Sequence, residues 1–140
     1  IYADGEKLTG TAFLLCTIAD GAYVGGAFRC APRAKNDDGR LEVCVMKPMS
    51  LFTFLSLMGP YRRGEHLDDP RFSKYMTYRR ASRVEVVSKK PFPVSLDGEI
   101  IKTERFTCTV LPGALRFAVP KTAVPETTAA EPSDAPVPAL

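Results

Sequence analysis

A chain of 140 residues, 45% hydrophobic and 25% charged, has the makeup of one ordinary domain with enough apolar material for a real core. Its longest apolar run, Ala12-Phe13-Leu14-Leu15-Cys16, falls far short of the roughly 20 residues a membrane-spanning helix needs, so an integral helical membrane protein is excluded. The formal net charge is +3, and because Lys121 stands against Glu126, Glu131 and Asp134, the tail is net −2 and residues 1–120 carry +5.

The opening Ile1-Tyr2-Ala3-Asp4-Gly5-Glu6-Lys7 has neither the basic start nor the apolar stretch of a signal peptide, nor an initiator Met. We therefore expect the chain to start partway into a longer polypeptide. Strand signals follow at residues 11–18 and 40–46: short β-branched or aromatic runs bounded by turns. After Pro48 comes the one convincing helix. Ser50 can cap it, Leu51, Phe54, Leu55 and Met58 recur at helical spacing, and Gly59-Pro60 is expected to stop it.

Further strands are predicted at 83–88, 92–96, 106–110 and 114–119. Phe106, Cys108, Val110 and then Leu115, Phe117, Val119 alternate, placing those side chains on one buried face with Leu111-Pro112-Gly113 turning the chain between them. Four Asp-Gly pairs, beginning at Asp4, Asp20, Asp38 and Asp97, mark tight turns where Gly tolerates positive φ. Mostly antiparallel strands with one short helix predict a mainly β fold, a two-sheet antiparallel sandwich or flattened barrel, over residues 1–120. Beyond Pro120 the Pro-, Ala- and Thr-rich composition has no periodic apolar pattern, so residues 121–140 are predicted to be a disordered tail.

Chemistry is sparse. Cys16, Cys30, Cys44 and Cys108 have no metal-ligand spacing and His66 supplies a single imidazole, so zinc is not expected. The cysteines read as buried, reduced core residues in preference to a disulfide, which favours the cytoplasm. Walker, Rossmann and nucleophile-elbow signatures are missing, His66 reads as a structural hydrogen-bonder, and nothing matches a nucleic-acid-binding pattern. Arg62-Arg63 and Arg79-Arg80 with Arg83 could meet anionic headgroups or phosphates, or form a solvated surface. Asn36-Asp37-Asp38-Gly39 could be a plain β-turn or hold a hard cation through oxygen ligands. Asp97-Gly98-Glu99 reads first as a hairpin turn.

Taken together, Tyr23-Val24-Gly25-Gly26, Ala31-Pro32-Arg33-Ala34-Lys35-Asn36-Asp37-Asp38-Gly39-Arg40-Leu41-Glu42-Val43, Gly64-Glu65-His66, Pro93-Val94-Ser95-Leu96-Asp97-Gly98-Glu99 and Leu111-Pro112-Gly113-Ala114-Leu115 resemble, in order and spacing, the C-terminal half of the bacterial diacylglycerol kinase and related lipid kinase family. That family includes sphingosine and ceramide kinases and is similar in fold to the NAD kinases. The resemblance implies the C-terminal β-sandwich lobe of a two-lobed enzyme. Its N-terminal nucleotide-binding domain, with a Gly-Gly-Asp-Gly-Thr loop, would be the partner of this lobe, and ATP would sit in the cleft between them. It further implies transfer of the γ-phosphate, with Mg2+, to a lipid hydroxyl, first diacylglycerol and second a sphingoid base or other lipid alcohol.

By motif match, Asp97 and Glu99 would face the cleft, with Glu99 assisting deprotonation of the lipid hydroxyl. Asp38, with the carbonyls of Lys35 and Arg40, would match a structural Mg2+ site of some bacterial members. The implied setting is cytoplasmic and peripheral at the inner face of the membrane, and homodimers occur in the family. The lobe alone is expected to be inactive, and a non-catalytic interaction module on the same fold is the competing reading. Departures are small: Asp20-Gly21 replaces the family's usual Asn-Gly, Ala27 stands at its third Gly, and Leu41-Glu42-Val43 replaces Leu-Asp-Val.

Overall fold

A computed structural model of the chain describes residues 1–10, 12–116 and 118. Two antiparallel sheets face each other. One has four strands in the order β2-β1-β6-β7, formed by β1 (Tyr2–Ala3), β2 (Glu6–Lys7), β6 (Arg83–Leu96) and β7 (Glu99–Thr109). The other has three in the order β3-β4-β5, formed by β3 (Leu15–Ala19), β4 (Leu41–Met46) and β5 (Met76–Ala81). Helix α1 (Leu51–Arg63) and a 3-10 turn at Pro70–Phe72 lie between β4 and β5 in sequence. This is the two-sheet antiparallel sandwich with one short helix that the sequence predicts.

The core follows from strand alternation. Leu41, Val43 and Val45 of β4 face Ala3, Val84 and Val86 of the other sheet, with Ile1 and Ala81 closing the cluster. The opposite face of β4 carries Glu42, Cys44 and Met46, and Met46 packs with Cys30, Leu57, Tyr61 and Phe72 beneath α1. Covered on both sides, β4 is buried at all six positions, and each Val so buried contributes about 1.5–3 kcal/mol over an exposed one. Phe106, Cys108 and Val110 are half-buried against this core, as their alternation predicts.

Several local expectations are corrected. The runs at 83–88 and 92–96 are one strand, β6, whose register against β7 slips between Val87 and Phe92. The Ser88 Oγ accepts the Lys90 amide at 3.2 Å within that irregularity. Pro91 and Pro93 are tolerated there because β1 pairs β6 only at Val84 and Glu85, leaving the outer half of β6 without a neighbour on that side. Helix α1 runs through Gly59-Pro60 and ends at Gly64, φ 79°, whose amide bonds the Tyr61 carbonyl at 3.0 Å. Gly59 has no Cβ to clash with the proline ring, so the helical conformation before Pro60 is available.

Ser50 does cap α1, accepting the Thr53 amide at 3.2 Å. The buried face, however, is Leu57, Pro60 and Tyr61, while Leu51 and Leu55 of the predicted stripe are exposed. Residues 114–116 and 118 are not in a strand, and Leu115 is exposed; Phe117, Val119 and the predicted tail lie outside the described residues. Strands β1, β2 and β5 are additions. Asp4 (φ 47°) and Gly5 (φ 85°) turn β1 into β2, and the Asp4 carboxylate reaches across to the corner between β5 and β6. There it accepts from the Ser82 hydroxyl at 2.8 Å and the amides of Arg83 and Ser82 at 2.9 and 3.0 Å.

Candidate functional site

Along the free edge of β3 the structure opens an apolar cavity of about 740 Å³, within the range of small-molecule sites. Leu15, Cys16, Thr17 and Ile18 form one wall, and Phe54, Leu57, Met58 and Tyr61 of α1 another. A tight bend supplies a third, through Tyr23, Val24, Gly25 and Phe28. That bend closes with paired backbone bonds, Val24 amide to Phe28 carbonyl at 2.8 Å and Phe28 amide to Val24 carbonyl at 3.2 Å. Gly25 and Gly26 sit at φ 59° and 72°, which explains the two glycines of the Tyr-Val-Gly-Gly motif. The bend is tied to the end of α1 by the Arg29 amide on the Arg62 carbonyl, 3.0 Å. A side chain at Gly64 would collide with Arg29, whose Cδ lies 2.7 Å from the position of the missing Cβ.

The cavity's polar groups are few and convergent. Thr17 and Tyr61 share a hydroxyl–hydroxyl bond of 3.3 Å. Burial pushes the Tyr61 phenol up, so it serves as a neutral hydrogen-bonding group at ordinary pH. The Cys16 thiol is likewise pushed up by burial, to about 11, which makes it a wall residue rather than a nucleophile. At the far end Ser95, Asp97 and Gly98, from the tip of the β6–β7 hairpin, close the site. Asp97 (φ 48°) and Gly98 (φ 103°) form the two-residue turn that brings Asp97 to the cavity.

The two residues matched as catalytic therefore separate in position. Asp97 lines the cavity, whereas Glu99, paired with Leu96 at the first step of β7, is exposed and outside its wall. Ser95 is the neighbour on the strand leading in, and Thr17, Tyr61 and the α1 side chains were not singled out from sequence. The Tyr23-Val24 bend was, by its paired glycines.

The acidic turn lies elsewhere. Asp38 Oδ1 accepts the Arg40 amide at 2.9 Å, while Oδ2 takes a very short contact from the Arg80 guanidinium. Arg80 also pairs with Glu42, Nε to Oε1 3.1 Å, so one guanidinium serves two carboxylates. Among the described residues no three His, Cys, Asp or Glu side chains converge as a metal cluster. With Arg80 against Asp38, the side chains fit an internally neutralised turn better than a magnesium site built on Asp38 and the Lys35 and Arg40 carbonyls.

Arg79 pairs with Glu6 at 3.8 Å, so both arginines of that pair are engaged with acids of the chain itself. His66 is 3% exposed, stacked 4.7 Å from Tyr61 and 5.9 Å from Phe72. Burial lowers its pKa, partly offset by the nearby Cys30 and Tyr61 carbonyls, although neither ring nitrogen makes a well-aligned hydrogen bond. The four cysteines are free thiols, with Cys30 and Cys44 buried. Among the described residues no helix is long and apolar enough to cross a membrane.

Comparison with known proteins agrees with this architecture. The chain is 31% identical over 121 residues to a probable YegS-like lipid kinase of Chromohalobacter salexigens, covering 86% of this chain and 37% of that protein. It is 31% identical over 100 residues to a diacylglycerol kinase of Bacillus subtilis, covering 71% and 31%. A probable YegS-like lipid kinase of Stenotrophomonas maltophilia is 27% identical over 108 residues, covering 77% and 34%. The chain thus spans about a third of the length of the curated relatives it matches. A family model described as the YegS C-terminal NAD kinase beta sandwich-like domain matches residues 1–119, and the chain belongs to that lipid kinase family as its C-terminal β-sandwich domain.

Proposed function

We propose that this chain is the lipid-holding lobe of an ATP-dependent kinase that phosphorylates a lipid hydroxyl, with diacylglycerol the first substrate. The observation that carries this reading is the cavity itself: an apolar wall suited to an acyl chain, with Asp97 of a two-residue turn on its lining. A chain buried along β3 and α1 would gain about 0.8 kcal/mol per CH2, and its polar end would emerge beside Ser95 and Asp97. Asp97 then orients the hydroxyl. Glu99, exposed at the start of β7 in the same hairpin, takes the role the family resemblance implies for it and assists removal of the hydroxyl proton.

In this reading ATP is bound mainly by a nucleotide-binding domain of the same protein, and Mg2+ offsets phosphate charge as it comes with the nucleotide. The protein works at the cytoplasmic face of the membrane, where its substrate lies.

Lipid binding tests the reading on the chain as it stands. Isothermal calorimetry with dioctanoylglycerol should show saturable binding, and Leu15→Trp, which places an indole in the cavity from an edge-strand position 40% exposed, should abolish it while the fold is retained. Sphingosine titrated in parallel shows whether the second substrate class binds better. Undiminished binding by Leu15→Trp would place the lipid elsewhere.

A further inference from the structure

Strand alternation decides which way Thr17 points. Cys16 and Ile18 on either side of it pack towards the core between the sheets, so Thr17 takes the opposite face of β3. Its register partner Cys44 lies on that face too, with Sγ 3.7 Å from the Cys30 carbonyl. There the Thr17 hydroxyl meets Tyr61 from the last turn of α1, Oγ1 to Oη 3.3 Å. Both residues line the apolar cavity, and Tyr61 is 5% exposed.

The pair holds more hydrogen-bonding capacity than it uses. Two hydroxyls carry two protons, and the bond between them consumes one. That bond is long at 3.3 Å against the usual O–H···O distance of about 2.7–2.8 Å. Among the described residues the further partner at the Tyr61 hydroxyl is the Cys30 thiol, a weak one. Burial pushes the phenol pKa up, so the proton stays on it at ordinary pH. A buried O–H without a strong acceptor is costly, and a ligand that brings an acceptor relieves that cost.

The hairpin tip has the opposite sense. The Asp97 carboxylate, on the same cavity, accepts hydrogen bonds and has none to give. The site therefore asks for a ligand with a hydroxyl for Asp97, an acceptor for the Thr17–Tyr61 pair, and hydrocarbon for the walls between. An acylglycerol carries all three, its ester carbonyl being a strong acceptor. Ether-linked glycerolipids and sphingoid bases have the hydroxyl and the hydrocarbon but lack the carbonyl.

We propose that the Thr17–Tyr61 pair is a specificity determinant: Tyr61 donates a hydrogen bond to an ester carbonyl of the bound lipid, and Thr17, donating to the phenol oxygen, orients it. The phenol is the more acidic of the two hydroxyls and so the stronger donor to the ligand. This rests on the lipid-binding reading of the cavity, and the test separates the two.

Isothermal calorimetry on the 140-residue chain compares dioctanoylglycerol, its ether counterpart di-O-octylglycerol, and sphingosine. The variants are Tyr61→Phe, Thr17→Val and the hydroxyl-keeping Thr17→Ser, each checked by a circular dichroism melt. Wild type should prefer the diester over the diether by about tenfold or more. Tyr61→Phe should weaken diester binding by about tenfold and leave diether binding unchanged, so that the preference collapses. Thr17→Val should lower the diester affinity by about threefold, again without effect on the diether, while Thr17→Ser should retain the wild-type preference.

The ratio between the two ligands is the readout, because a hydroxyl pair that merely supports the fold would shift both affinities together. Should Tyr61→Phe fail to fold, the contrast between Thr17→Val and Thr17→Ser carries the test. An unchanged diester preference in Tyr61→Phe, or equal binding of diester and diether by wild type, would overturn the proposal and leave the cavity reading standing. Sphingosine binding that falls more than diester binding in Tyr61→Phe would also overturn it, since the pair would then recognise an amino alcohol. Absence of binding by all three lipids to wild type would sink both readings.

Discussion

Replacing Arg80 with Met would strip the counter-charge from a carboxylate that water cannot reach. Glu42 is 1% exposed on the central strand β4, and among the described residues the cation paired with it is Arg80, Nε 3.1 Å from Oε1. The Tyr78 hydroxyl lies against the same carboxylate, and burial with the Glu42 charge pushes that phenol up. Breaking a buried pair from one side typically costs about 3–5 kcal/mol. Exposure places this case at the lower end: the Arg80 side chain is 42% exposed, so the pair is partly screened.

Loss of the Arg80 contact to half-exposed Asp38 adds about 0.5 kcal/mol. The expected cost is about 3 kcal/mol, or roughly 10 °C in Tm for a domain this size. Urea denaturation followed by circular dichroism measures it. Adding Glu42→Gln to Arg80→Met should recover more than half of the loss, because the stranded charge is gone. If Arg80→Met stays within about 0.5 kcal/mol of wild type, the pair is not an ion pair in any energetic sense and the reasoning fails.

The same arginine governs the acidic turn: Mg2+ should barely move the melting temperature of wild type or of Asp38→Asn, whereas Arg80→Met should gain Mg2+-dependent stability, read by thermal shift. His66 has a folded pKa below its unfolded value near 6.5, so the unfolded chain binds more protons in that interval and stability must fall as pH drops from about 7 towards the folded pKa. A His66→Leu variant should show a flatter stability profile over that range in urea titrations.

Partial desolvation pushes the Asp4 carboxyl up, but the Ser82 hydroxyl, the Arg83 and Ser82 amides and the Arg40 charge outweigh it and hold it below the usual carboxylate range. Its contribution is therefore present above about pH 3.9 and lost as pH falls through the lower folded value. Asp4→Asn keeps the left-handed turn but should cost about 1 kcal/mol at neutral pH, measured by urea denaturation.

The sandwich was legible because alternation and turn chemistry act locally. Asp97-Gly98 announces a two-residue hairpin whatever surrounds it, and Val43 and Val45 announce a buried face. Strand β5 was not legible: Met76-Thr77-Tyr78-Arg79-Arg80-Ala81 reads as polar, and its arginines become strand residues only because Glu42, Asp38 and Glu6 from distant segments pair with them. The helix stop was misplaced because Gly59-Pro60 is usually a boundary, while Gly64 is required there by its αL conformation and by the closeness of Arg29, a tertiary contact.

The site divides in the same way. The hairpin carboxylate and the glycine bend are local motifs, but the cavity joins β3, α1 and the tip of the β6–β7 hairpin, and no stretch of sequence contains that meeting. Leu51 and Leu55 fit the predicted inner stripe by spacing alone, and only the placement of α1 against Met46 and Phe72 shows them turned outward.

The proposed roles of Asp97 and Glu99 in phosphoryl transfer to a lipid hydroxyl are tested by following labelled phosphate from ATP to dioleoylglycerol. The assay uses a longer protein in which this domain is joined to the proposed nucleotide-binding lobe, as wild type, Asp97→Asn and Glu99→Gln, with melting temperatures taken alongside. Glu99→Gln should lower kcat by roughly 100-fold or more with Tm unchanged, because Glu99 is exposed and the isosteric Gln keeps its backbone pairing with Leu96. Asp97→Asn should reduce turnover as well, with a rise in KM for the lipid, since its carboxylate lines the cavity. Near-normal phosphorylation by both variants would overturn those roles and reduce the Asp-Gly-Glu hairpin to architecture.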